Sequence, residues 1–388
     1  MTATKLRVAH LGNYNPDSAD GTEKTVAGLV AWSPNYGVEA EVWQLVPGLR
    51  APRARLLDGR VRVFDLPAYA PPANYLRGLH PAAQDFVRAR QRRIDLVHFH
   101  SAFVPENAAV AALLGVPYVV TPNGSYSLAI LRGRLRWFKS VWLWLRERPY
   151  VRRATFLQAV SPGEAGALRE LFPQQRVLFV PNALDPARLA DPRQGEANRK
   201  DLLYLGRLAV QQKGLDAMVS GYARFLEQTG DLQTRLLLVG PDYRDGRRHL
   251  QRLVRSLGIA GRVVFPGPAY VEQKWRYLRS AYAFLHTSRW DGLPFSVLEA
   301  LASGCPVLVT PESNVGEAVQ RYGAGVVVPG AADSVAAGIE DLVAAPAERR
   351  AAMTAGARRL VHDHFTWPAA ARRVARAYLD VCAAGRPA

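Results

Sequence analysis

The run from Thr287 to Pro311, Thr-Ser-Arg-Trp-Asp-Gly-Leu-Pro-Phe-Ser-Val-Leu-Glu-Ala-Leu-Ala-Ser-Gly-Cys-Pro-Val-Leu-Val-Thr-Pro, constrains the fold more than any other stretch. It reads as a strand end, a tight loop, a short helix, a small-residue turn and a second strand. Pro294 suits a first helical turn, where its missing N–H costs nothing and its φ is already helical. Val297, Leu298 and Leu301 recur at helical spacing and turn toward a sheet. Ser303-Gly304 closes the helix, and Pro306-Val-Leu-Val opens a buried strand. Backbone N–H groups from Leu293 to Ser296 point out of the helix start and form a candidate anion site. Two carboxylates flank it, Asp291 in the loop and Glu299 more than one turn into the helix.

The remaining chain repeats this grammar. Lys5–Gly12 reads as a buried first strand, followed by a polar loop, Asn13–Gly21, and a helix, Thr22–Trp32. Further strands are expected at Glu39–Val46, Val61–Leu66, Asp95–His100, Tyr118–Thr121, Phe156–Ser161 and Val177–Pro181, with helices such as Pro81–Arg90 and Glu106–Leu114 between them. Residues 186–200 are polar, with two prolines and a glycine, and read as a linker. A second series follows: Asp201–Leu208, Arg235–Val239, Val263–Phe265, Ala283–His286, Val307–Thr310 and Val326–Val328, with a helix at Leu215–Gln228. The alternation predicts α/β architecture with two doubly wound, Rossmann-like parallel sheets. The expected division is residues 1–185, a linker 186–200, a second domain 201–366, and a last helix within 367–388.

Several side chains stand where such sheets meet ligands. His98 and His100 alternate on one strand and share a face, with His10 on a strand that could neighbour it. No third ligand has convincing spacing for a metal. Asn123, in Thr121-Pro-Asn-Gly-Ser-Tyr126, ends the next strand. Gly206-Arg207 and Lys213-Gly214 follow the first strand of the second series. Leu131–Arg153 holds eight basic residues and one acid, Glu147, with Trp137, Phe138, Val141, Trp142 and Leu145 at helical spacing and Trp144 off that face. Two readings of it stand side by side: an interfacial membrane helix, or a core-packed helix with a solvated arginine side.

The Asp291–Glu299 stretch and the Gly-Arg…Lys-Gly pair resemble the donor-binding motifs of the retaining GT-B glycosyltransferases of family 4, also called group 1. Their motif is two glutamates separated by seven residues in a Glu-Gly-Phe/Leu-Pro context. Here the first is Asp291, one methylene short, while Gly292, Leu293, Pro294, Glu299 and the extension Ala300–Val307 agree. The resemblance implies a GT-B fold and transfer of a sugar from a nucleotide-diphosphate sugar, itself a co-substrate, so no separate cofactor and no metal are expected. It implies that Arg207, Lys213, Gly21, Leu293, Pro294 and Ser296 hold the donor diphosphate. Glu299, Asp291 and Gly292 would hold ribose and sugar, and Asp291, Asn123 and His100 would serve the reacting centre. Relatives often carry His or Arg where Asn123 stands, and Asn cannot carry charge or relay a proton. The acceptor would be a growing glycan or a lipid-linked molecule. A membrane-facing helix at 131–153 would suit the second.

Composition bears on the rival classes. A net charge of +17 suits an anionic partner. Of the 50 basic residues, however, only six are Lys, and an arginine-rich composition also arises from a GC-rich genome. No zinc-finger spacing, recognition-helix pattern or aromatic RNA-binding motif supports a nucleic-acid partner. An epimerase or phosphorylase on the same fold remains the enzymatic alternative. Two cysteines argue against a disulfide scaffold, and no apolar run approaches 18 residues. A cytoplasmic protein, peripheral at the inner membrane face if 131–153 docks there, is expected.

Overall fold

The structure is a computed structural model that describes residues 5–16, 18, 20–57, 59–126, 141–189 and 200–384. Contacts divide the chain into two compact units, residues 1–182 with 367–388 and residues 183–366. Each is built on its own sheet.

The first unit contains β1 (Leu6–Leu11), β2 (Val38–Pro47), β3 (Arg53–Leu57), β4 (Val61–Ala68), β5 (Leu96–His100), β6 (Tyr118–Thr121), β7 (Phe156–Ala159) and β8 (Val177–Phe179). Their order is β3-β4-β2-β1-β5-β6-β7-β8. All neighbours are parallel except β3, which runs antiparallel to β4. The sequence reading missed β3. Its residues Arg53-Ala-Arg-Leu-Leu are exposed or half-buried, so they lack the apolar alternation of a covered strand and carry charges suited to an edge. Val8, Val97, Phe99 and Val120 are buried completely, and Trp43 packs edge-on to Phe86 of the helix Pro81–Arg90. The last helix, Trp367–Ala384, also belongs to this unit. A Cβ on Gly28, in the helix Gly21–Trp32, would lie 2.0 Å from the Trp367 ring, so the indole occupies the space that the glycine leaves.

The second unit contains β9 (Asp201–Leu205), β10 (Arg235–Val239), β11 (Val263–Gly267), β12 (Ala283–His286), β13 (Val307–Val309) and β14 (Gly325–Val327). All are parallel, in the order β11-β10-β9-β12-β13-β14. Its core joins Leu202, Tyr204, Leu236 and Leu285 to Met218 and Tyr222 of the helix Leu215–Thr229. In both sheets the strand order reverses beside the first strand, between β1 and β5 and between β9 and β12. Loops leaving the carboxyl ends of two such strands diverge to opposite faces and open a crevice. The sequence-marked residues cluster at these two points.

Of the basic stretch, residues 131–140 lie outside the described residues, and with them Trp137 and Phe138. From Leu143 to Glu147 the chain is a π-helix, continuing as the α-helix Arg148–Arg152. Leu143, Glu147, Tyr150 and Val151 are buried, whereas Val141, Trp144 and Leu145 are exposed. Trp144 is exposed, whereas Trp142 is half-buried and its indole N–H donates to Glu147 at 3.3 Å. No helix among the described residues is long and apolar enough to cross a membrane.

Candidate active site

The helix Phe295–Ala302 begins one residue after Pro294, which is its N-cap and gives it no side-chain cap. Ser296 thus stands in a first turn whose dipole is not answered by a capping side chain. Leu293 and Phe295 are buried and anchor that turn. Asp291 lies in the loop between β12 and this helix. Lys213 lies in the loop after β9, at the end of the turn Val210–Lys213. Gly214 holds this turn in the left-handed region, and a Cβ there would fall 2.1 Å from the Thr287 carbonyl oxygen. The two loops therefore touch, and Thr287 Oγ1 lies 3.0 Å from the Gly214 carbonyl oxygen.

Through this contact the Lys213 ammonium pairs with Asp291 Oδ2. His286 Nε2 and Ser288 Oγ each lie 3.0 Å from the same oxygen, and the Gly292 N–H donates to Oδ1 at 3.1 Å. A carboxylate only accepts, so His286 carries its proton on Nε2 and donates it to Asp291. His286 Nδ1 is left as a buried lone pair without a partner among the described residues. Burial pushes the Asp291 carboxyl up. The charge of Lys213 and the His286 hydrogen bond outweigh this and hold it well below the usual carboxylate range. Burial also lowers the His286 pKa, despite the bond to Asp291, so the ring is neutral. Asn314, itself in the left-handed region, donates to the Asp291 and Gly292 carbonyls at 2.8 and 2.9 Å and fixes the loop's path.

Glu299 is buried and accepts from Lys274 Nζ at 2.8 Å. Each motif carboxylate is thus paired with one of the chain's six lysines. Arg207 is exposed, with its guanidinium 5.3 Å above the Tyr243 ring. The preceding Gly206 backbone lies close to Gly240, where a Cβ would sit 1.8 Å from the Gly206 carbonyl oxygen.

In the first unit His10, His98 and His100 converge. One nitrogen from each lies within 4.8 Å of the others. The strand that could neighbour the pair does so: β1 and β5 are adjacent and set His10 in register with His98, which sequence spacing alone did not mark as a third ligand. His98 is bonded on both sides, by Tyr378 O–H at 2.5 Å and Thr121 Oγ1 at 2.6 Å. His10 Nδ1 meets His100 Nε2 at 3.1 Å, leaving His10 Nε2 and His100 Nδ1 without partners among the described residues. Burial holds all three rings neutral. Metal-bound imidazoles normally donate their far N–H to an outer partner, and among the described residues only His98 has one here. The donor set fits a neutral hydrogen-bonded chain better than a metal.

Asn123 adopts the left-handed region and donates to the Thr121 carbonyl at 3.2 Å. Its neighbour Gly124 donates to the buried Glu164, which also accepts from Val160 at 2.8 Å. Burial raises the Glu164 carboxyl to about 7, against the lowering effect of those two bonds. Gly21 opens its helix, but Asp20 Oδ1 already accepts from Thr22 N at 2.8 Å. That helix start holds a carboxylate of its own.

The second half of the chain, residues 189–360, matches the profile of the glycosyl transferases group 1 family, and residues 20–183 match a glycosyl transferase 4-like domain. The chain belongs to the group 1 glycosyltransferases. Its fold is GT-B. Sucrose-phosphate synthase from Thermosynechococcus elongatus superposes with a TM-score of 0.79 at 20% identity, covering 98% of this chain and 100% of that one. Anabaena HepE, solved with UDP and glucose, gives 0.71 at 17% identity, covering 97% and 100%. Among curated relatives, a GDP-mannose-dependent phosphatidylinositol monomannoside mannosyltransferase of Mycolicibacterium smegmatis is 29% identical over 58% of each chain. The D-inositol 3-phosphate glycosyltransferase of Frankia alni is 28% identical over 73% of this chain and 74% of its own. The match spans less than half, 45%, of an uncharacterized Methanocaldococcus jannaschii glycosyltransferase at 27% identity.

Within this glycosyltransferase, sequence reasoning missed His286, Ser288, Asn314 and Lys274. His286 and Ser288 sit five and three residues before Asp291, at a strand end where alternate residues share a face. That spacing could have marked them. Lys274 and Asn314 reach the site from other elements, and no local pattern announces them.

Proposed function

We propose that this glycosyltransferase moves a sugar, with retention of configuration, from a nucleotide-diphosphate sugar to a hydroxyl acceptor. The reading rests chiefly on one observation, the Lys213–Asp291 pair at the reversal point of the second sheet. Lys213 has three N–H donors and spends one on Asp291, so it can meet a phosphate oxygen without releasing that carboxylate. Arg207 adds a planar fork for the diphosphate, and together they do the work of a divalent ion. Leu293, Pro294 and Ser296 bring the helix start to the same anion. Asp291, kept ionised by Lys213 and His286, faces the sugar, where its charge favours an oxocarbenium-like transition state and same-face attack. Glu299, oriented by Lys274, takes the ribose hydroxyls. Asn123 and His100 serve the acceptor side as neutral hydrogen-bonding groups.

The exposed Tyr75, Leu76, Trp144 and Leu145 with Arg77 and Arg146 suit a lipid surface of anionic character, which favours a lipid-linked or growing glycan acceptor and a peripheral place at the membrane. Donor hydrolysis across a panel that includes UDP-glucose and GDP-mannose tests the reading. One nucleotide sugar should be turned over, and excess chelator should leave the rate of metal-stripped protein unchanged. Failure to hydrolyse or bind any nucleotide sugar would reject it.

A further inference from the structure

A pocket of about 270 Å³ opens at the amino ends of β1, β2 and β4, the opposite end of the first sheet from Asn123 and His100. Five arginines line it: Arg7 from β1, Arg60 from the β3–β4 turn, Arg62 from β4, Arg90 from the helix Pro81–Arg90 and Arg93 just beyond it. Against them stand two carboxylates, Glu39 and Glu41 of β2, so three positive charges are uncompensated. The strand register explains the convergence. Arg7 lies in register with Glu39 and Arg62 with Glu41, and alternate residues of β2 share a face, so these four side chains stand on one side of the sheet. Among the described residues, the guanidinium groups of Arg7, Arg60, Arg62 and Arg93 have no carboxylate or hydrogen-bond partner.

Guanidinium groups drawn together in this way repel one another, and a multivalent anion removes that cost. One of the five is already held in place to meet it. Arg90 donates through Nε and Nη2 to the two oxygens of Glu41, at 3.0 and 2.5 Å, and its Cζ lies 4.6 Å from the centre of the Phe64 ring. Glu41 is fixed in turn by the Trp43 indole N–H at 2.8 Å. Among the described residues Nη1 of Arg90 keeps both of its N–H groups, on a side chain only 16% exposed, so its orientation is set before any ligand arrives. A planar fork of this kind suits phosphate oxygens. No aromatic residue lines the pocket to stack on a nucleobase, and its apolar lining is confined to Ala40, Leu56 and Ile94 among the described residues.

We propose that this pocket binds a compact soluble anion bearing two or more phosphate groups, at a site separate from the one that serves sugar transfer. Arg90 Nη1 grips it from the wall, the four unpaired guanidinium groups surround it, and Glu39 accepts from a hydroxyl where the molecule carries one. Asn123 and His100 lie at the carboxyl ends of their strands, so the occupant does not meet them, and the proposal stands independently of the transfer reading.

The probe is inorganic pyrophosphate, titrated calorimetrically into the full chain at low salt. Arg62→Gln/Arg93→Gln, at two exposed positions, should weaken one bound equivalent by about 10-fold or more. Arg88→Gln/Arg92→Gln removes the same charge from exposed neighbours that do not line the pocket, and should leave that equivalent unchanged. Phenylglyoxal labelling read by mass spectrometry supplies the location. Pyrophosphate should protect Arg7, Arg60, Arg62 and Arg93 and leave Arg88 and Arg92 reactive. Equal weakening by the two double variants overturns the proposal, as does a chain in which pyrophosphate protects none of the four. Sedimentation with anionic vesicles that needs Arg62 and Arg93, without pyrophosphate binding, would assign the cluster to a lipid surface and overturn it as well.

Discussion

Replacing Lys213 by Met removes the charge that faces Asp291 and keeps most of the side chain's volume. Both side chains are 13% exposed, so water can do little for the carboxylate left behind. Truncating one partner of a buried pair costs about 3–5 kcal/mol, and an exposed pair is worth about 0–1. His286 and Ser288 remain bonded to Asp291, which brings the expected loss to about 2–3 kcal/mol. Asp291→Asn strands the ammonium instead and should cost about 2 kcal/mol. The double variant should lose less than the sum, with a coupling of about 1.5–3 kcal/mol. Guanidinium unfolding of all four proteins measures this cycle. Because the Asp291 carboxyl is held low, its contribution is present above the unfolded value of about 3.9 and is lost only as pH falls below it. The advantage of wild type over Lys213→Met should therefore be constant through neutral pH and shrink below about pH 4. Donor affinity should behave differently. Lys213→Met should loosen the nucleotide sugar by about 10- to 100-fold, and the second substitution should not restore it. Additive stabilities, or a Lys213→Met protein that is as stable and binds donor as tightly as wild type, would refute the reasoning.

Three other outcomes are expected. Asp291→Asn should lower kcat by about 10²-fold with nucleotide affinity nearly unchanged, whereas Glu299→Gln should weaken nucleotide binding; full turnover by Asp291→Asn would remove Asp291 from the chemistry. Glu164, raised to about 7, binds its proton more tightly in the folded chain. Its stabilisation is complete below the unfolded value and fades as pH rises toward 7, a change of about 3 kcal/mol that Glu164→Gln should flatten in pH-dependent unfolding; equal slopes in the two proteins would contradict this. Sedimentation with anionic vesicles should fall with salt and with Trp144→Ser/Leu145→Ser, and equal sedimentation with neutral vesicles would favour a merely solvated face.

What the chain's letters reveal is set by how local the cause is. The helix Phe295–Ala302 and the strands Tyr118–Thr121, Arg235–Val239 and Ala283–His286 follow from apolar spacing, prolines and glycines within a few residues, and the structure keeps them. Edge strand β3 carries no such pattern, because an edge is marked by charge and pairing on one side only. The candidate site divides in the same way. The positions of Asp291 and Glu299 were legible, since loop and helix place them. Their partners were not. Lys213 is 78 residues from Asp291, and Lys274 is 25 from Glu299. Only the β9–β12 adjacency and the packing of separate helices bring these charges together. His10 joins His98 and His100 for the same reason, across the β1–β5 pairing.

The indole of Trp367 resting on Gly28 has a consequence for how the protein is made. The first unit lacks its closing helix until residues 367–384 have left the ribosome, whereas the second is contiguous in the chain. During vectorial synthesis the earlier-translated sheet must wait, with Gly28 uncovered and Tyr378 not yet beside His98, while residues 183–366 can close first. A premature stop shortly before Trp367 would spare the later unit and leave the earlier one exposed to chaperones and proteases. The quality of the first unit is thus decided by residues translated only after the second unit is complete.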